Sequence, residues 1–541
     1  MLDWCRCNAG AAGNRVSADL KGAETLGLED FSMLELDDDQ MTELFEPGAG
    51  NTMSQGLVMD RFQSDIYLLE EDLDGYPETR YDTADRTDIP FDGVWTDAEE
   101  IHIGAAVTSV SSALWEAPCV ERFTVSSRNP VFFVRDGVLF RRNERGEIIL
   151  VKYPPARKDE TYAIPEDVAQ IDVCAFQETE HLKHLISTSV LRMDRSFHEM
   201  DSLETLRIEN AVSMTGCFGW CMNLREISLP DTLLEIDDCF CECPALKGTL
   251  EIPASLVRFN DSFLNSGIEG FSGESAGCKT DDGVLFSKDG TRLIRYPNTK
   301  VAKCYPIPDG VEVIESHAFS GSQLREVSLP TSVREIRNDA FRKSENLVTI
   351  YVRDGHLSDV RIHDYAFEDT KWIDSQGQFA VFEDVLVSYR GEEESEIRLP
   401  AVRAIAEGAF HRRPETITVS LADRTKRIES RAFMYNDEIV ALDLASVEEI
   451  ESEAFVGISA EKVVIPDTCK GIGKHAFLNA KTREFVIEGV ETQFAEECIG
   501  FKKAFGEPVE ENPDVLVLCR PGSVAQEYCN FYGLQYEYLK E

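Results

Sequence analysis

Apolar and polar positions along the chain follow one skeleton, clearest at residues 314–330, IESHAFSGSQLREVSLP. It reads I-x-x-x-A-F, a short gap, then L-x-x-V-x-L-P. The skeleton returns at Ile336 (IRNDAFRKSENLVTIYV), Ile428 (IESRAFMYNDEIVALDL) and Ile450 (IESEAFVGISAEKVVIP). Its second half alternates apolar with polar, the period of a half-buried strand. Leu324, Val327 and Leu329 then point inward, and Pro330 ends the strand by withholding a donor. The first half turns the chain and sends Phe319 into the core, with Ala318 kept small where a neighbouring coil passes.

The phenylalanines fall at 176, 197, 218, 240, 263, 319, 341, 367, 410, 433, 455 and 477, mostly 21 to 23 residues apart. Eight of these units carry Ile five places before the Phe, and Ala just before it. One unit buries too few apolar side chains to offset its own ordering entropy. Stacking changes the balance, because each coil then covers its neighbours. The expected fold is a β-rich solenoid of stacked repeats, about 22–23 residues each.

Three longer steps share a cause. DGVLFRRNERGEIILVKYP (136–154), DGVLFSKDGTRLIRYP (282–297) and EDVLVSYRGEEESEIRLP (383–400) each read as strand, polar turn and second strand ending at Pro. Asp289-Gly290 is a strong hairpin signal. The array is therefore expected to run over 98–490, interrupted by three β-hairpin inserts near 136–154, 282–297 and 383–400. A degenerate first unit begins near Ile101, with Leu114 and Trp115 at the A-F position.

The ends differ. Residues 1–97 are acidic, lack the skeleton and read as largely disordered. Within them Phe31, Leu34, Met41, Leu44 and Phe45 (30–46) fit one side of a short helix, either docking a partner or capping the array, and 62–73 form a weaker segment. Residues 491–541 read as a C-terminal cap: helix-like spacing over 492–505, a strand, a Pro-Gly turn, a helix from about Ser523 and a last strand. An open-ended solenoid needs such a cap over its final coil.

Composition narrows the partners. Over 541 residues the formal net charge is -45, which repels phosphate backbones, so a protein partner is expected and nucleic acid is not. The 15 cysteines are scattered beside repeat hydrophobics, which suits a reducing compartment better than a disulfide framework. No apolar run suits a signal peptide or a membrane span, so membrane insertion is not expected and the location reads as cytoplasmic.

These residues resemble the BspA-like leucine-rich repeat, whose pattern is close to I-G-x-x-A-F-x-x-C-x-x-L-x-x-I-x-I-P. Cys221 and Cys243 fall on the pattern's Cys, where Ser344, Thr370 and Asn436 stand in other units; Ile472-Gly473 keeps its Gly. The GVLF hairpins and the terminal PGSVAQEYC also look like parts of that family, and the resemblance runs over about 101–539. It implies a right-handed leucine-rich-repeat solenoid used for protein interaction, often at bacterial or protist surfaces. Cell-surface or secreted display is thus the alternative location, and an adhesin-like or purely structural spacer role the alternative function.

Chemistry is sparse. Cys217 and Cys239 precede their Phe, and Cys221 and Cys243 follow theirs by three, so equivalent thiols stack between coils, with Cys241 nearby. A metal or redox role for this Cys217–Cys243 cluster is a minor alternative to inert packing, since other units place Ala, Ser or Thr there. His181 and His184 lack a third ligand. No nucleophile elbow, P-loop or HExxH motif occurs, so no enzyme, cofactor, metal or catalytic residue is expected. The remaining candidates are outward positions on the strand face, which vary between units: Arg225, Glu226 and Ser228; Arg325, Glu326 and Ser328; Val348, Thr349 and Tyr351; Ala441 and Asp443.

Overall fold

The computed structural model describes residues 98–540 apart from 111–116, 189–191, 392–395, 411–417, 505 and 507, preceded by strands Arg80–Asp82 and Asp88–Ile89. All of these belong to one unit, Arg61–Glu541. The segments expected at 30–46 and 62–73, with Leu114 and Trp115, lie outside the described residues, as does the rest of 1–97 apart from those two strands.

Each coil contributes two parallel strands. The L-x-x-V-x-L half makes a longer strand, as in Glu326–Leu329 and Thr349–Val352, which pair in parallel register. The Ile makes a shorter strand, as in Glu335–Ile336 and Arg361–Ile362. The result is a solenoid with two ladders. The long-strand ladder reaches back to Arg80–Asp82, which pairs with Glu100–Ile103.

The spacing I-x-x-x-A-F places apolar groups at i, i+4 and i+5, as a helix does. A left-handed residue just before the Ala prevents one: His317, Asp339, Arg431, Glu453 and His475 have φ near 55°. The turn thrown by that residue drives each Phe inward. Their rings stack coil on coil, with centroids 4.4–5.4 Å apart from Phe176 to Phe263, Phe319 to Phe367 and Phe410 to Phe477.

The same geometry replaces the helix expected at 492–505. Phe494, Cys498 and Ile499 fill the Ile, Ala and Phe places of one more coil, and Glu497 takes the left-handed position at φ 51°. Phe501–Lys502 then pairs antiparallel with Glu510–Glu511. Beyond it come strand Leu516–Cys519, helix Val524–Tyr532 with Ser523 as N-cap and Gly533 in the left-handed C-cap, and strand Gln535–Tyr538.

The three hairpins act as walls. In the first, Phe132–Arg135, Val138–Arg142 and Ile148–Lys152 form an antiparallel meander; in the second, Cys278–Asp281, Val284–Ser287 and Arg292–Arg295 do so. In the third, Phe379–Phe382 pairs with Val385–Tyr389, and Glu396–Arg398 joins the long-strand ladder instead. Val385–Tyr389 pairs directly with Ala404–Ile405, so the edge where a third strand would insert is already taken.

The strand that carries Val138–Phe140, Val284–Phe286 or Val385–Val387 is buried on both faces over those three residues, which is why each reads there as a short unbroken apolar run. Leu139 packs into the core before the first wall, Val138 and Phe140 into the core after it. Leu285 faces back while Val284 and Phe286 face forward. Val385 and Val387 face back while Leu386 faces forward. Among the described residues the walls thus separate four apolar cores. Tyr153, Tyr296 and Tyr389, at the ends of wall strands, stack on Phe176, Phe319 and Phe410 and start each new ring column. Beside two of them a buried cation meets the next coil: Lys152 Nζ donates to the Cys174 carbonyl at 2.9 Å, and Arg295 donates to the His317 carbonyl.

Candidate interaction face

The outer side of the long-strand ladder is built from the positions the repeat leaves free. Side chains one coil apart share a column and pair along it. Lys183 meets Glu160 at 2.5 Å, Lys462 meets Glu484 at 2.6 Å, Arg122 meets Glu100 at 2.5 Å, and His184 Nδ1 bonds Thr205 Oγ1 at 2.9 Å. The His184 ring therefore belongs to this column, while His181 lies 3.8 Å from Glu180.

Arg225, Glu226, Ser228, Arg325, Tyr351 and Asp443 are exposed on this side, and Glu326 is half-buried. Arg225 reaches toward Glu204 at 4.0 Å, and the Tyr351 hydroxyl donates to Glu326 at 3.3 Å. Ser328 differs from expectation: it is only 6% exposed. Arg353 lies over it, donating to Ser328 Oγ at 3.3 Å and to the Ile307 carbonyl at 2.6 Å, and pairing with Asp309 at 3.0 Å. Arg353 follows its strand where Pro330 follows the previous one, and that missing proline is the signal that would have found it.

The ladder is divided into blocks. Glu226–Ser228 ends a four-stranded block, Glu326–Leu329 sits inside a three-stranded one, and Ala441–Asp443 ends another. The eleven sequence-predicted residues therefore occupy three separate patches.

The cysteine positions are backbone-bonding ladders. Three places after the Phe, Cys221 and Cys243 donate to the carbonyls of Phe197 and Phe218, at 3.6 and 3.0 Å. Ser344 does the same to Phe319 at 2.6 Å, and Asn436 to Phe410 at 2.9 Å. Just before the Phe, Cys217 and Cys239 donate to the carbonyls of Thr215 and Asp237, at 3.2 and 3.1 Å. Cys239 Sγ also accepts the Cys217 amide at 3.3 Å. Burial pushes the Cys239 and Cys243 thiols well above the usual range, and burial with the Asp238 charge pushes Cys241 up to about 12. Thiols so held are poor nucleophiles. Among the described residues no group of three or more His, Cys, Asp or Glu side chains is arranged to hold a metal ion. No helix among them is long and apolar enough to cross a membrane.

The family profile described as BspA type leucine-rich repeat region matches the chain in six copies, over residues 158–269, 297–376 and 389–502, more than half of its length. No curated protein sequence matches it. Among solved structures, a leucine-rich cell surface protein of Faecalibacterium prausnitzii is similar at 20% identity, over 68% of this chain and 83% of that one, with a TM-score of 0.32. The pneumococcal vaccine antigen PcpA is similar at 14% identity, over 76% and 99% of the two chains, with a TM-score of 0.34. A leucine-rich repeat protein from Bacteroides ovatus is similar at 17% identity, over 75% and 100%, with a TM-score of 0.29.

Proposed function

The chain belongs to the BspA-type leucine-rich repeat family, and from that premise we propose that it is a non-catalytic scaffold presenting the outer side of its long-strand ladder to an extended protein partner. One observation carries this reading. The residues that recur, such as Ile314, Ala318, Phe319, Leu324, Val327 and Leu329, are all fully buried. The residues that vary between coils are the outward ones, and in the described coils they include exposed aromatic, aliphatic and charged groups such as Tyr351, Val348 and Arg325. A broad ribbed surface of this kind suits a protein or peptide better than a small molecule.

The test is capture of partners by the full chain from extracts of its native cells, read by mass spectrometry. Two grouped variants are compared with the native chain: Arg225→Glu with Glu226→Lys, and Arg325→Glu with Glu326→Lys and Asp443→Lys. Loss of one specific partner from either variant supports the reading. An unchanged bound set in both removes this face from consideration.

A further inference from the structure

The short-strand ladder breaks at the third wall. Arg361–Ile362 is the last strand of its sheet, and the next sheet starts at Phe379–Phe382. The coil at 359–363 nevertheless lies against the third repeat block, on the outer side of its short strands.

Burial on that outer side marks the contact. Ala404 pairs in register with Arg427, and Arg427 with Glu449, so all three occupy the same outward position. Ala404 and Ala406 are fully buried, and so is Val360; the three belong to one core cluster. Arg427 and Glu429 are 7% and 4% exposed. Something covers this face, and the coil at 359–363 does so.

The cover is held by charge. Asp359 pairs with Arg403 and Arg427, which are 44 and 68 residues away. Arg427 also donates to the Val360 carbonyl at 3.3 Å and to Glu429 at 2.8 Å. Arg361 pairs with Glu451 at 2.7 Å. His363 Nδ1 meets Glu407 at 2.8 Å and its Nε2 meets Glu335 at 3.1 Å. Its two carboxylate partners thus lie on opposite sides of the break. A cleft of about 500 Å³ opens beside the contact, lined by Asp359, Arg403, Lys426, Arg427, Glu448 and Lys470 among others.

We propose that the coil at 359–363 is a releasable latch between the second and third repeat blocks, shut while His363 carries its proton. Only a doubly protonated ring donates to both Glu335 and Glu407 at once. The charged groups facing it are Glu335 and Arg337 from the coil before, Asp364 on its own coil, and Glu407 and Glu429 from across the break. Burial disfavours the charged ring, but the Glu407 hydrogen bond and the carboxylate charges outweigh it and raise the His363 pKa. When the proton leaves, one bridging bond goes and the carboxylates face each other across a neutral ring. Rising pH therefore opens the latch and falling pH shuts it.

The experiment is amide hydrogen exchange of the full chain, corrected for intrinsic rates, at about pH 6 and about pH 8.5. Protection at 359–363 and 403–407 is expected to fall about tenfold on going to the higher pH, while strands 449–450 and 471–472 hold theirs. Compared in an Asp364→Asn background, which removes the neighbouring carboxyl that titrates in the same range, His363→Gln is expected to show the low protection at both values. Equal protection of the native chain at both values overturns the latch, and so does a His363→Gln chain that keeps the pH response of that background. If that variant does not fold, Glu407→Gln replaces it: a much smaller pH response supports the latch, and an undiminished one overturns it.

Discussion

The Cys243 thiol donates a hydrogen bond to the carbonyl of Phe218, one coil back, across 3.0 Å. The contact explains why Cys, Ser and Asn alternate at this place in the repeat, since each donates one coil back; Thr370 donates instead to the Phe367 carbonyl of its own coil at 2.7 Å. Cys243→Ser is expected to cost under about 1 kcal/mol, because the donor survives, and Cys243→Ala about 1–2 kcal/mol, because a buried acceptor loses its partner. Denaturant titration of the two variants checks the order.

Among the described cysteines, Cys119 and Cys304 are exposed and the rest are buried. Native protein treated with a thiol reagent is expected to lose these two at once. Cys217, Cys221, Cys239, Cys241 and Cys243 should react only on unfolding. Peptide mapping of the labelled chain reads this directly, and rapid labelling of Cys239 would contradict the hydrogen-bonded ladder.

Phe341 sits between Phe319 and Phe367 in its column, with centroids 4.9 and 5.4 Å away. Phe341→Ala is expected to destabilise by about 3–5 kcal/mol, since rigid coils on both sides keep the cavity from collapsing. The loss should be confined to the core between the second and third walls. Hydrogen exchange at rising denaturant should show 284–406 opening early, with 148–260 little affected.

Asp364 is pushed up to about 7, first by burial and then by the charge of Glu407. Its unfolded value lies near 4, so the folded state binds the extra proton. Ionising it costs stability: the penalty is full above the folded value and disappears as pH falls toward the unfolded one. Asp364→Asn keeps an oxygen for the Tyr365 amide, now 2.9 Å from Oδ1. It should therefore be more stable than native by about 1–2 kcal/mol at alkaline pH, discounted for partial exposure, with the gain shrinking below about pH 7 and gone near pH 4. Melting temperatures across pH test the crossover.

The repeat was legible because its core residues state themselves locally. Ile314, Ala318, Phe319 and Leu329 recur at fixed offsets, and the fold follows from stacking them. The walls were legible for a related reason, since the stretches buried on both faces, Val138–Phe140, Val284–Phe286 and Val385–Val387, hold three apolar residues in a row. Ser328 was misplaced because its cover, Arg353, comes from the next coil and reaches back across it. The helix expected at 492–505 failed because a coil turn and a helix share the same apolar offsets, and only the backbone at Glu497 tells them apart. The latch was least visible: Arg427 and Asp359 are 68 residues apart, and only two alanines at outward positions, Ala404 and Ala406, hint that something lies over them.

The two-sided walls have a consequence for how such a chain can change its length. A wall such as Val284–Ser287 closes one core on one face and seeds the next on the other, and its terminal Tyr296 sets the register of the following rings. Between walls, one coil resembles the next. Duplicating or deleting a whole unit inside a block leaves both bounding walls with the neighbours they need. The hairpins are therefore the fixed punctuation of this gene product, and the coils between them the part that evolution is free to count differently.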